Sequence, residues 1–120
     1  MNTEKVYSIF SRLSGLRDTE LLRYTFLCET SAGYVVSRLR DKTAAARSGG
    51  KVQFAAAALA YYRYILCQLT DGETGEVKVG DIAVKKDAVS ILGSAEKICR
   101  EAFRDIGDLL TTEDFYFRGV

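Results

Sequence analysis

Residues 52 to 69, VQFAAAALAYYRYILCQL, limit the fold more than any other stretch of this chain. Past Gln53 its only strongly polar members are Arg63 and Gln68, so a helix from Val52 to Leu69 is apolar on nearly every side. Such a helix is stable in water only when other helices surround it, which predicts a bundle with this segment at its centre. The run Ala55 to Ala58 removes side-chain bulk and lets a neighbour come close, whereas Tyr61, Tyr62 and Tyr64 bring rings whose hydroxyls need partners. Arg63 interrupts the apolar run, which falls short of the ~20 residues a membrane span needs.

Three further segments have helical periodicity. Residues 3 to 13 place Val6, Ile9, Phe10 and Leu13 on one face, with Asn2 or Thr3 as N-cap and Gly15 ending the run. A second helix is expected from Thr19 to Leu39 behind an Asp18 cap, with Leu22, Thr25, Cys28, Glu29, Ala32, Val35, Val36 and Leu39 as its stripe and Gly33 marking a bend or a close helix contact. The last is expected from Asp87 to Leu110, with a stripe from Val89 through Ile98, Cys99, Ala102, Phe103 and Ile106 to Leu110; Gly93 and Gly107 each lower its propensity by about 1 kcal/mol against alanine. Leu59, Tyr62, Leu66, Ile98, Ala102 and Ile106 are the core expected between the third and fourth helices.

Two connections matter. Residues 40 to 51, RDKTAAARSGGK, read as a basic loop, since Ser48, Gly49 and Gly50 disfavour a helix interior. Between Asp71 and Asp87 the period changes to two in EVKVGDIAVKK. With Gly80 and Asp81 as a two-residue type II′ loop, Val79 faces Ile82, Val77 faces Val84 and Glu76 faces Lys85 across a β-hairpin. The expected fold is therefore mainly α: one domain over 1–120, a small four-helix bundle with a hairpin at about 75–85 inserted between the third and fourth helices, and an aromatic tail at 111–120.

Chemistry is limited by what is missing. The 120 residues include no histidine, tryptophan or proline, which removes the commonest general base and the commonest metal ligand. Asp105 and Asp108 lie one turn apart and read as a solvated helix face, and TDGETGE (70 to 76) lacks the alternating ligands of a calcium loop. Cys28, Cys67 and Cys99 are odd in number and lie inside apolar patterns, which makes them buried small hydrophobes in a reducing compartment. No charged n-region followed by an apolar h-region is visible, so the expectation is a soluble cytoplasmic chain, without catalytic activity, metal or cofactor, and with no membrane partner.

Charge is the remaining signal. The chain carries +1 overall, but residues 38 to 51 hold Arg38, Arg40, Lys42, Arg47 and Lys51 against Asp41, a net +4. Residues 105 to 114 hold Asp105, Asp108, Glu113 and Asp114 with no base, a net −4. Three accounts are open: ordinary charged loops, a head-to-tail contact between copies in which one end meets the other, or a basic loop against DNA phosphates. The chain then ends in EDFYFRGV, placing Phe115, Tyr116 and Phe117 past the last helical stripe, either folded back on the bundle or held for a neighbour.

The order of AAAALAYYRYILC (55 to 67), GEVKVGDIAV (75 to 84), a long amphipathic helix and EDFYFRGV resembles the head-tail connector, or adaptor, proteins of tailed phages and prophages of Gram-positive bacteria, over roughly residues 17 to 120. That resemblance implies a structural subunit of a twelve-fold ring beneath the portal protein. The ring would surround the channel through which DNA passes without sequence-specific binding, and would dock to the next neck or stopper protein. It implies assembly in the bacterial cytoplasm and residence in the virion neck. The subunit or portal interface expected on this basis comprises Arg40, Lys42, Arg47, Gly80, Asp81, Asp105, Asp108, Glu113, Phe115, Tyr116 and Phe117. The alternative is a small helical nucleic-acid-binding or regulatory protein that uses residues 38 to 51.

Overall fold

A computed structural model describes residues 1–43, 49–71, 77–79, 82–84 and 88–111, and the chain is mainly helical. Helix α1 spans Thr3–Ser14, with the Asn2 side chain accepting a 3.2 Å bond from the Lys5 amide. Gly15 ends it in the left-handed region at φ 78°, where glycine has no Cβ penalty, and its amide returns to the Ser11 carbonyl. Val6 and Phe10 are fully buried, while Ile9 and Leu13 lie half-buried beside them.

The single second helix expected over 19–39 is two: α2, Asp18–Leu22, and α3, Thr25–Arg38. Tyr24 leaves helical geometry at φ −116°, ψ 13°. Its ring sits 4.8 Å edge-to-face from that of Tyr64, and its hydroxyl accepts from Gln68 Nε2 at 3.1 Å. The interruption thus coincides with an aromatic contact to the next helix. Gly33, expected to mark a bend or a close contact, makes no close contact: it lies inside α3 on the exposed side, with nothing within 4 Å of where a Cβ would stand.

Helix α4, Lys51–Asp71, is central and packs against α1, α3 and α5. Ala55 through Ala58 and Ala60 are fully buried, with Leu59 and Tyr61 nearly so. Tyr64 inserts between α1 and the α2–α3 junction, its ring 6.0 Å from Phe10 at 86° and also against Tyr24. The expected core is right for Leu59, Ala102 and Ile106, but Tyr62 and Ile98 are half-buried and Leu66 is 36% exposed. On a helix apolar all round, periodicity does not identify which neighbour of a pair faces inward, and here Ile65 does.

Helix α5, Ala88–Asp105, ends earlier than expected. Ile106 turns at φ −112°, ψ 15°, a 3₁₀ turn follows at Gly107–Leu109, and Leu110 is extended. Ile106 and Leu110 remain buried, so the stripe persists although the helix does not. Between α4 and α5, the backbones of Val77–Val79 and Ile82–Val84 pair antiparallel, with Val77 opposite Val84. Glu76, Gly80, Asp81 and Lys85 lie outside the described residues. The inserted hairpin, with its tip and cross-strand ion pair, is therefore not established as a unit.

Candidate functional site

The described interface candidates converge on one place, the end of α3. Leu39 leaves the helix in extended conformation and bridges Leu110 antiparallel. The Arg40 amide donates to the Leu109 carbonyl at 2.9 Å, and the Thr111 amide donates to the Arg38 carbonyl at 2.7 Å. Both bridging leucines are buried, so the contact is apolar within and hydrogen-bonded along its backbone. Arg40 adds a side-chain bond, Nε to the Leu110 carbonyl. Lys42 folds back over the helix terminus, its ammonium donating to the carbonyls of Val36 at 2.7 Å and Leu39 at 3.2 Å. Those carbonyls belong to the negative end of the helix dipole, where a cation is favourable. Asp41 closes the turn by accepting from the Thr43 amide at 2.9 Å and its hydroxyl at 2.7 Å.

This arrangement changes how the charge pattern is understood. Arg40 and Lys42 bond to backbone carbonyls of their own chain, and Arg40 lies beside the exposed Asp108 because it binds the two residues that follow it. Asp105, also exposed, ends α5 just before the same turn. Positive and negative candidates expected on opposite sides of a contact between copies therefore share one end of one copy. Arg47, Gly80, Asp81, Glu113, Phe115, Tyr116 and Phe117 lie outside the described residues.

Other polar side chains explain how the charged members of the bundle are accommodated. Arg63 donates from Nη1 to the buried Ser31 hydroxyl at 3.2 Å and lies 5.8 Å from the Tyr34 ring centroid, while Arg38 approaches the same ring at 5.5 Å. The sequence flagged Arg63 as the one charge on an otherwise apolar stretch, but nothing in it named Ser31 or Tyr34. The Tyr7 hydroxyl donates to Glu29 at 2.8 Å, and that bond, ahead of burial, raises the tyrosine pKa.

Cys28 and Cys99 are buried, and burial pushes each thiol up to about 12. For Cys28 the neighbouring Glu29 adds to the shift, whereas for Cys99 Arg63 opposes it. These two thiols are small core side chains, as their sequence setting predicts, and Cys67 is half-buried. Among the described residues, no three histidine, cysteine, aspartate or glutamate side chains gather as metal ligands. A cleft of about 450 Å³ runs between the starts of α1 and α4, where Lys5, Lys42, Thr43, Gly49 and Gly50 form part of its lining. The described lining holds two lysine side chains and no carboxylate, and one of them, Lys42, bonds to the α3 carbonyls. No described helix is long and apolar enough to cross a membrane.

Comparison of this chain with protein-family models, curated proteins and solved structures finds no match.

Proposed function

We propose that the chain is a structural subunit of the head-tail connector of a tailed phage or prophage, assembling as a ring below the portal around the DNA channel. The observation that carries this reading is the order of parts along the chain. An alanine-rich helix is wrapped on three sides, a paired-strand segment and a long amphipathic helix follow it, and an aromatic tail begins just past a backbone clasp. The clasp between Leu39 and Leu110 gives the tail a defined point of departure at Thr111.

In this reading the inserted hairpin presents Gly80 and Asp81 at its tip to a neighbour, and Phe115, Tyr116 and Phe117 are held for the portal or the adjacent copy. Glu113 and Arg47 remain contributors to the contact between copies, whereas Arg40 and Lys42 act chiefly within their own chain. Their use inside the fold also weighs against residues 38 to 51 as a nucleic-acid-binding segment, because phosphate contacts would compete with bonds already made. The protein works without catalysis or a cofactor, in the bacterial cytoplasm during assembly and in the virion neck afterwards.

The test is electron microscopy of the purified chain mixed with the portal protein of the phage or prophage whose genome encodes it. A twelve-fold ring on the portal supports the reading, and a variant lacking residues 113 to 120 should keep its melting temperature and lose binding. Failure of the intact chain to bind the portal at low and high salt contradicts it.

A further inference from the structure

We propose that Arg38 and Arg63, the two arginines at the Tyr34 ring, form a docking surface for the acidic start of this chain's own tail, Glu113 and Asp114. Arg38 lies 5.5 Å and Arg63 5.8 Å from the centroid of that ring, so one aromatic side chain gathers a guanidinium from α3 and another from α4. Both arginines are half-buried. A ring face attracts a cation, but two like charges brought to one ring repel each other, and a carboxylate beside them relieves that repulsion. Arg63 is held from the bundle side, where the buried Ser31 hydroxyl accepts one of the five N–H groups of its guanidinium. The planar fork of a guanidinium matches a carboxylate in shape as well as in charge.

The place where the described chain ends identifies the occupant. The Thr111 amide donates to the Arg38 carbonyl at 2.7 Å, so the chain leaves the clasp against the backbone of one of the two arginines. Glu113 and Asp114 follow two and three residues later. An extended chain covers at most ~3.6 Å per residue, which keeps both acids within side-chain reach of Arg38. Leu39 and Leu110 pair antiparallel, so the chain past Thr111 starts back in the direction of the earlier residues of α3, where Tyr34 and Ser31 stand. A tether this short raises the local concentration of the acids to the millimolar range, ahead of any acid on another molecule in dilute solution. Partly exposed ion pairs are weak, so this contact fixes the root of the tail without committing Phe115, Tyr116 and Phe117, and its loss moves the melting temperature little. When copies meet, the same acids can pass to a neighbour. The contact is a property of the isolated chain and stands or falls separately from the connector reading.

Native-state proteolysis of the dilute full chain tests this. Chymotrypsin cuts after Phe115, Tyr116 or Phe117 only when the residues around the bond, Glu113 and Asp114 among them, enter its cleft, so docking slows the cut. Each rate is taken relative to a free peptide of the same tail sequence, variant for variant. The wild-type tail should be cut several-fold more slowly than its peptide. Arg38→Glu and Glu113→Arg should each raise the relative rate about threefold, the effect of one partly exposed ion pair, and the double variant Arg38→Glu/Glu113→Arg should return it toward wild type. Glu113→Arg alters no helix residue, so it reads the contact even where Arg38→Glu disturbs the end of α3. The proposal is overturned by a wild-type tail cut as fast as its peptide, by a Glu113→Arg tail cut at the wild-type relative rate, or by a folded double variant that stays fast. It is also overturned if protection grows with chain concentration, since the arginines then hold the tail of another copy.

Discussion

The two ends of α3 are completed in opposite ways. At its C-terminal end, exposed charged side chains bond back to their own chain: Arg40 and Lys42 donate to backbone carbonyls, Asp41 closes a turn, and Leu39 is buried against Leu110. At its N-terminal end, apolar side chains turn outward: Leu22 and Phe26 are exposed, and Tyr24, the residue before the helix, makes no side-chain cap. Residue type alone suggests the reverse, with charges on the surface for partners and apolar groups inside. Backbone carbonyls at a helix terminus carry the negative end of the helix dipole and accept from cations of the same chain, and they are always present. The closed end therefore belongs to the fold, whereas at the open end Leu22 and Phe26 stay exposed.

The largest separation of the two ends is expected from leucine truncation. Leu110→Ala or Leu39→Ala should lower stability by about 2–5 kcal/mol, the range for deleting a buried leucine side chain, whereas Leu22→Ala should stay within about 0.5 kcal/mol of wild type. Urea denaturation of the three variants makes the comparison, and equal midpoints would erase it.

Arg40→Ala comes next, with an expected loss of about 1–2 kcal/mol from a charge-assisted bond to a partly buried carbonyl. If Arg40 instead served only a partner, its removal would leave the melting temperature of the isolated chain unchanged. Lys42→Ala should cost about 0.5–1 kcal/mol, because an exposed ammonium at a helix terminus is partly screened by solvent. Raising the salt concentration should narrow the difference between this variant and wild type.

The smallest effect near neutrality is that of pH. Folded Cys28 and Cys99 keep their protons up to about 12, while thiols in the unfolded chain begin to lose theirs near the ordinary value of 9. A raised folded pKa gives stability that is fully present below pH 9 and is lost as pH rises toward 12. Tyr61 and Tyr64, raised mainly by burial, act in the same direction. The melting temperature should therefore not vary with pH through these groups between pH 6 and 8 and should decline above about 9. Thermal scans across that window check the sign; a rise on the alkaline side would contradict it.

The sequence disclosed those parts that depend on local chemistry or on a strong imbalance of polarity. Asn2 and Gly15 bracket α1 as their cap preferences predict, and the apolar segment lies at the centre because water offers it no alternative. The break at Tyr24 was hidden because its distant partners, Tyr64 and Gln68, carry no local signal; of the stripe expected along 19–39, Cys28, Ala32, Val35 and Leu39 are buried, but Leu22, before the break, and Glu29 are exposed. Leu66 is exposed and Ile65 buried on a helix apolar on nearly every face, where residue type does not separate the two. For the candidate site, Arg40 and Lys42 were recognised as important, but a count of charges does not distinguish a carboxylate on another copy from a carbonyl on the same chain. Asp105 and Asp108 are both exposed, but they do not share a helix face: Asp105 ends α5 and Asp108 lies in the 3₁₀ turn that follows.

Amide hydrogen exchange at Arg40 and Thr111 tests most directly whether the chain itself closes the end of α3. The two amides donate to Leu109 and Arg38 across the clasp and should exchange slowly, with protection approaching that of the α3 interior. Arg40→Ala should reduce protection at Thr111 without changing that of Val35 in the middle of α3. Exchange of both amides at the rate of an unprotected peptide in the isolated wild-type chain would mean that the clasp does not form alone, and that Arg40 is available to a partner after all.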